Sequence, residues 1–379
     1  MKGIKIMESK DNKKVKQSFY RLNNILKTNA PYMILLGERS NGKSYAVKEH
    51  CITQAWLHDK KFIYLRRFDR DIKPSSVEQY FKDPPSYKIM EWTRGMCDGI
   101  VAFRGIIYLT KYNEELEKDE KVKAIGYSCA LNLEQRYKSG SYEDVDNIIF
   151  EEFIAEDFYL PNEPTKLMNF ISTVARRRRI NVFMIGNTIS RVCPYFNEWQ
   201  LVNIPKQQQG TIDIYEHESM DLDENGEPLK IKMAVEFCEN SGRNSKMFFG
   251  ASSKMISTGA WQTKEVPHLQ GNKQLDYVVM HRIVIKYKNF KFNCEFLLEK
   301  ETGNVCWYVY PKTTDITDSE RVITDTATSL NMLTTIGFIP LSASEKTALG
   351  YMFEGRIYYS DNLTGSDFEQ CLKCLKLMN

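Results

Sequence analysis

The sequence has no apolar stretch long enough to span a bilayer and no hydrophobic signal segment near its start. These absences predict a soluble, intracellular protein with no membrane partner. Paired cysteines are missing as well. Nine cysteines are present, most of them isolated in apolar surroundings, which argues against a disulfide scaffold and fits reduced, buried thiols. Only Cys371 and Cys374 form a C-x-x-C, with no second pair and no histidine beyond His281 to complete a zinc site. Their spacing therefore reads as one face of a helix. Excess charge of either sign is also lacking. With a net charge of +3, a nucleic-acid partner has to be argued from local patches. No internal repeat is found, and only the lysine-rich first dozen residues read as disordered.

Against these absences stands a chain of 379 residues, 42% hydrophobic and 12% aromatic, which predicts a large core and two domains with a small connecting unit. Residues 37 to 44 read Gly37-Glu38-Arg39-Ser40-Asn41-Gly42-Lys43-Ser44, the G-x-x-x-x-G-K-[ST] phosphate loop. An apolar run, Tyr32 to Leu36, feeds it, and Lys43-Ser44-Tyr45 opens a segment with no helix breaker. In that context backbone N–H groups converge on phosphate oxygens at a helix N-terminus. Lys43 supplies a point charge for the β- and γ-phosphates of ATP, and Ser44 supplies a hydroxyl for Mg²⁺.

The rest of the first 205 residues alternates strand and helix signals, the pattern of an α/β nucleotide-binding domain. A helix is expected over 14–28, a strand over 61–65, and a hairpin with Arg104-Gly105 at its turn. A buried strand at 147–150, a helix over 165–178 opened by Pro164, and a strand at 181–186 follow. Residues 206–267 are expected to be a linker region. It carries an acidic run over 211–227 that reads as a solvated loop, with a hairpin turn at Asn225-Gly226. Residues 268–379 begin β-rich. Strands at 278–285, 290–298 and 305–310 predict a three-stranded antiparallel meander, followed by mixed helix and loop.

The strand at 147–150 ends in Glu151-Glu152. The first carboxylate suits the Mg²⁺ side of the site and the second can polarise water, the arrangement of the additional-strand, catalytic-glutamate group of P-loop NTPases. Most such enzymes place aspartate where Glu151 stands, which leaves direct metal contact open. Asn187 follows a buried strand, where a short polar side chain can sense a γ-phosphate. Arg176-Arg177-Arg178-Arg179 exceed what a helix C-terminus needs. One of them suits an arginine finger, and Arg177 and Arg178 suit DNA phosphates. Lys286, Lys288 and Lys291 interleave with Tyr287, Phe290 and Phe292, which fits a nucleic-acid surface and fits equally an amphipathic strand.

Together these stretches resemble the DNA-packaging ATPases of small short-tailed bacteriophages with protein-capped genomes, relatives of the large terminases. The similarity rests on Gly37 to Tyr45, Tyr64-Leu65-Arg66-Arg67 with Asp69, Asn147 to Phe153, Pro161-Asn162-Glu163, Thr173 to Arg176, and Asn187 with Pro194-Tyr195-Phe196. The resemblance implies a homo-pentameric ring at the portal of a prohead, hydrolysing ATP to translocate double-stranded DNA, with a structural packaging RNA as a further contact. It implies that Arg176 is the trans-acting finger and that Lys138 reaches a neighbour's site. It places the protein in the host cytoplasm and transiently at the portal vertex, outside the mature virion. In large terminases the C-terminal domain is a ribonuclease-H-like nuclease. Here the strand Tyr277 to Lys286 carries no Asp or Glu, so an α+β nuclease-like domain without nuclease activity is expected. The rival readings are a terminase that also cuts DNA and a nucleotide-gated scaffold with little turnover.

Overall fold

The computed structural model describes residues 19–156, 158–222, 225–239, 261, 265–334 and 343–375. Strands β1 (Tyr32–Gly37), β2 (Lys61–Arg66), β3 (Gly99–Phe103), β4 (Ile106–Asn113), β5 (Lys118–Ala130), β6 (Val145–Glu151), β7 (Asn181–Asn187), β8 (Thr211–Leu222) and β9 (Pro228–Phe237) form one sheet. Their order is β3-β4-β5-β2-β6-β7-β1-β9-β8. The six strands from β5 to β9 in that order run parallel, and antiparallel pairs flank them. Every residue of β1 is buried, because helices cover both faces. One face packs α2 (Lys43–His58), α3 (Pro74–Phe81) and α4 (Ser86–Trp92). The other packs α5 (Glu163–Ala175) and α6 (Pro194–Glu198).

The hairpin predicted at Arg104-Gly105 is present, with φ of 48° and 79° at the two turn residues, the mirror-image turn that matches strand twist. Other expectations need correction. The first 18 residues of the sequence, and with them the first five residues of the helix expected over 14–28, lie outside the described residues. Within them, α1 covers only Asn23–Lys27. The acidic run over 211–227 is not chiefly a loop. It forms β8, antiparallel to β9, and β9 pairs parallel with β1. The first sheet therefore continues past residue 205 to Phe237. Alternation explains it: along β8 the more exposed positions include Glu216 and Glu218, while β9 ends in a buried run from Met233 to Phe237. Helix α5 stops at Ala175 because Arg176 (φ 42°) and Arg177 (φ 71°) are both left-handed.

A second sheet contains β10 (Tyr277–Tyr287), β11 (Phe290–Glu299), β12 (Val305–Pro311), β13 (Val322–Thr324), β14 (Met332–Leu333) and β15 (Ile357–Tyr359), in the order β14-β13-β10-β11-β12-β15. The expected meander β10-β11-β12 is antiparallel, and the other strands join it in parallel. Helices Ala343–Phe353 and Asn362–Cys374 close its core. Cys371 is buried on the latter helix, as the spacing suggested. Val192, from the loop after β7, is part of this second core. Beside it, Arg191 forms an ion pair with the half-buried to buried Asp367, and Lys373 Nζ donates to the Glu156 carbonyl at 3.0 Å. Among the described residues no helix is long and apolar enough to cross a membrane.

Candidate functional site

The carboxyl ends of the central parallel strands converge. Register pairs Gly37 with Asn187 and Glu151 with Ile185, and brings Leu65 beside Phe150. The phosphate loop, the acid pair, Asn187 and Arg66 thus share one sheet edge, where open α/β sheets bind ligands. A cleft of about 1200 Å³ opens there.

The loop can turn tightly because of its glycines. Gly37 has φ +151° and Gly42 has φ +98°. A Cβ at Gly42 would come within 3.3 Å of the Phe19 ring. Lys43 is buried, and its ammonium donates to the Glu38 carbonyl at 2.6 Å and to Asn41 Oδ1 at 3.2 Å. Burial pushes it below the ordinary lysine range, opposed by Cys238, Glu151 and Glu38. The Ser44 hydroxyl donates directly to Glu151 Oε1. The extra methylene of Glu151, relative to aspartate, therefore still lets the carboxylate reach the loop. Burial raises the Glu151 pKa, and the Ser44 hydrogen bond pulls it down. Its second oxygen, Oε2, is buried without a hydrogen-bond partner. A hydroxyl beside an incompletely satisfied carboxylate is the donor set a magnesium ion takes when substrate phosphates and water supply the remaining ligands. Among the described residues no group of three or more His, Cys, Asp or Glu could hold a metal ion by itself.

Glu152 is exposed and adopts a left-handed backbone, φ 55°. Its carboxylate accepts from Arg66 Nη2 at 2.6 Å. Arg39 of the loop pairs with Glu156 across the same edge. Asn187 lines the cleft. Tyr45 lines it too, with its ring edge-on to Trp92 at 6.0 Å. Sequence reasoning missed Phe19, Tyr20 and Arg21 before α1, and Tyr87 and Lys88 on α4, which also line the cleft. They carry no local motif. Only the tertiary return of two distant segments brings them in.

Arg176 and Lys138 lie elsewhere. Arg176 Nη2 donates to the Gly140 carbonyl at 2.7 Å, in the turn just after Lys138, so the two basic residues are neighbours. That turn precedes β6, whereas Glu151 ends it. Arg176 follows the thirteen residues of α5, about 20 Å of helix from its start beside Glu152. Neither residue joins the acid pair of its own chain.

Three of the residues assigned to nucleic acid are engaged within the fold. Arg178 is engaged inside the fold, donating to the carbonyls of Tyr142, Val145 and Val174 and pairing with Asp146, which removes it as a free phosphate contact. Lys288 pairs with Asp325 at 2.9 Å, and Lys291 donates to the Thr314 carbonyl with Asp315 nearby. Arg177 remains exposed, and Lys286 is half-buried on β10.

The fold and the cleft define an α/β protein with a phosphate-type loop at the carboxyl edge of a mixed, mostly parallel sheet. A family model described as Podovirus DNA encapsidation protein (Gp16) matches residues 14–241, more than half of the chain, and the chain belongs to that family. It is 30% identical over 196 residues to the DNA packaging protein of Bacillus phage phi29, a match covering 49% of this chain and 52% of that protein. The chain thus spans about half the length of that relative. The DNA packaging protein of Bacillus phage B103 is 28% identical over 262 residues, covering 60% of this chain and 73% of its own. Among solved structures, the bacteriophage Phi-29 viral genome packaging motor assembly has a similar fold, with a TM-score of 0.52 and 22% identity. That match covers 94% of this chain and 99% of the other. The Phi-28 gp11 DNA packaging motor gives 0.51 and 18%, over 96% and 100%.

Proposed function

We propose that the protein is a viral genome-packaging motor that hydrolyses ATP to drive double-stranded DNA into a prohead as a homo-oligomeric ring, with five subunits as the family pattern implies. The observation that carries the reading is the Ser44–Glu151 hydrogen bond, which ties the phosphate loop to the carboxylate strand and puts Glu152 at the mouth of the same cleft. β7 between β1 and β6 supports the additional-strand class of P-loop NTPase. Ser44 and Glu151 would hold Mg²⁺, which when bound would supply charge neutralisation at the phosphates. Lys43 binds the same phosphates. Glu152 orients the attacking water, and Arg66 restrains its carboxylate. Asn187 meets the γ-phosphate side. Arg176 and Lys138, remote from their own acid pair, complete a neighbour's site. Contact with DNA is mainly to phosphate, because a packaging motor must be indifferent to sequence.

The second sheet supports a ribonuclease-H-like domain, since β10-β11-β12 form an antiparallel meander and β13 and β14 add in parallel beside β10. We take it to lack nuclease activity. Glu295 is tied to Lys273, Arg282 and Tyr310, and Asp325 to Lys288, so these carboxylates face cations of the chain itself. Manganese-dependent nicking by the purified protein, abolished by Glu295→Gln, would instead identify a cutting terminase. The portal and a structural RNA are the partners proposed for this domain. The host cytoplasm and, transiently, the portal vertex are its proposed location, with none in the mature virion.

The decisive test is ATP-dependent protection of DNA from nuclease inside purified proheads. Lys43→Ala, Glu152→Gln and Arg176→Ala are each expected to abolish it. Mixing Arg176→Ala with Glu152→Gln subunits should restore part of the ATP turnover, because some interfaces then carry both intact groups. Turnover that proheads do not stimulate would favour a scaffold instead.

A further inference from the structure

Arg67 is the residue the sequence left without a role. It follows β2 directly, and its side chain is buried. The structure accounts for each arm of its guanidinium. Nε donates to both carboxylate oxygens of Glu163, at 2.8 and 3.0 Å. Nη1 donates to the Glu152 carbonyl at 3.1 Å, and Nη2 to the Phe153 carbonyl at 2.6 Å. Glu163 is held in turn. Its side chain is fully buried, the Tyr195 hydroxyl donates to it at 2.8 Å, and the Leu160 N–H donates at 2.7 Å.

These contacts surround an unusual piece of backbone. Glu152 has φ 55°, a conformation that side-chain-bearing residues adopt only when their surroundings hold them there. The left-handed residue reverses the chain after β6. Phe153 can then enter the core against Tyr195 and Phe196 while the Glu152 side chain faces the cleft. Two successive carbonyls at this reversal accept from one planar fork, a geometry that arginine provides and lysine does not. Consecutive arginines thus address the same glutamate by different routes: Arg66 grips its carboxylate and Arg67 its backbone.

We propose that Arg67, fixed by Glu163 and Tyr195, is a positioning residue that sets the backbone of Glu152 and so aims its carboxylate at the attacking water. This inference rests on the ATP-hydrolysis reading given above. Arg67 touches neither nucleotide nor water. It acts by limiting where the Glu152 side chain can start from, and small displacements of a water-orienting group are costly.

The test compares the full chain and its variants under one assembly condition, by steady-state ATP turnover, binding of a fluorescent methylanthraniloyl-ATP, and thermal midpoint. Arg67→Lys keeps the charge opposite Glu163 and is expected to lower kcat by about 10- to 100-fold, with analogue affinity within about threefold of the parent. Tyr195→Phe keeps the ring packing and removes only the hydroxyl that fixes Glu163. It is expected to lower kcat about three- to tenfold with the same unchanged affinity, and it serves if Arg67→Lys does not fold. A kcat within twofold of the parent in the folded variants overturns the proposal. So does a loss of kcat matched by equal losses of affinity and thermal midpoint, because that pattern marks general damage. Glu152→Gln is run beside them. If it leaves turnover intact, Glu152 is not the water-orienting group and the proposal falls with that assignment, whereas a parent chain with no turnover at all would sink the hydrolysis reading itself. If it abolishes turnover while Arg67→Lys does not reduce it, only the positioning role fails.

Discussion

At the scale of single residues, the cleft is governed by where charge is buried. Lys43 and Glu151 are both hidden from solvent, and burial works against the ionised form of each. The proposed triphosphate and magnesium would supply the opposite charges that such groups call for. Glu236 on β9 shows the same physics away from the phosphates. Burial raises its pKa, against the hydrogen bond from the Tyr20 hydroxyl at 2.6 Å. Between the ordinary glutamate pKa and this raised value, the native state keeps a proton that the unfolded chain has lost. Stability from this group is therefore present at the acidic side and declines as pH rises through the folded pKa. Thermal midpoints measured from mildly acidic to neutral pH should fall less for Glu236→Gln than for the parent. Equal slopes would mean that Glu236 does not titrate in this range.

At the scale of elements, β9 decides how far the first sheet extends. Met233 is buried in the core shared by β1, β6 and α5. Met233→Ala should cost about 2–5 kcal/mol, read by denaturant titration. A linker residue would change stability by less than about 0.5 kcal/mol. This element was hidden in the sequence because its partner β8 is acidic and reads as solvated, and because the edge position lets one side of β8 face water. β5 was hidden similarly. Its first residues, Lys118 to Lys123, are charged except Val122 and mostly exposed, and only the later run through Ala130 enters the core. By contrast β1, β6 and β7 were legible, since strands buried on both faces read as continuous apolar runs. The phosphate loop and the acid pair were legible because their chemistry is local in the chain. The aromatic lining from Phe19, Tyr20 and Tyr87 and the roles of Arg67 and Arg178 were not, because they depend on partners brought in from other elements, such as Glu163 for Arg67 and Val145 for Arg178.

At the scale of the whole molecule, the loop after β7 reaches both cores. Asn187 lies in the cleft, Arg191 pairs with Asp367, and Val192 packs into the second core. Asp367→Ala would strand a guanidinium against the helix Asn362–Cys374 and should cost about 3 kcal/mol. The double variant with Arg191→Met should recover part of it. A strictly additive result in denaturant titration would mean that the pair contributes nothing.

The separation of Arg176 from Glu152 along α5 carries a consequence for mixed populations of the chain. Each subunit in the proposed ring gives at one end of its sheet and receives at the other, a head-to-tail polarity that closes only by going round. A chain defective at both ends would spoil two catalytic centres, its own and an adjacent one. Small amounts of such a chain would therefore poison packaging out of proportion to their abundance.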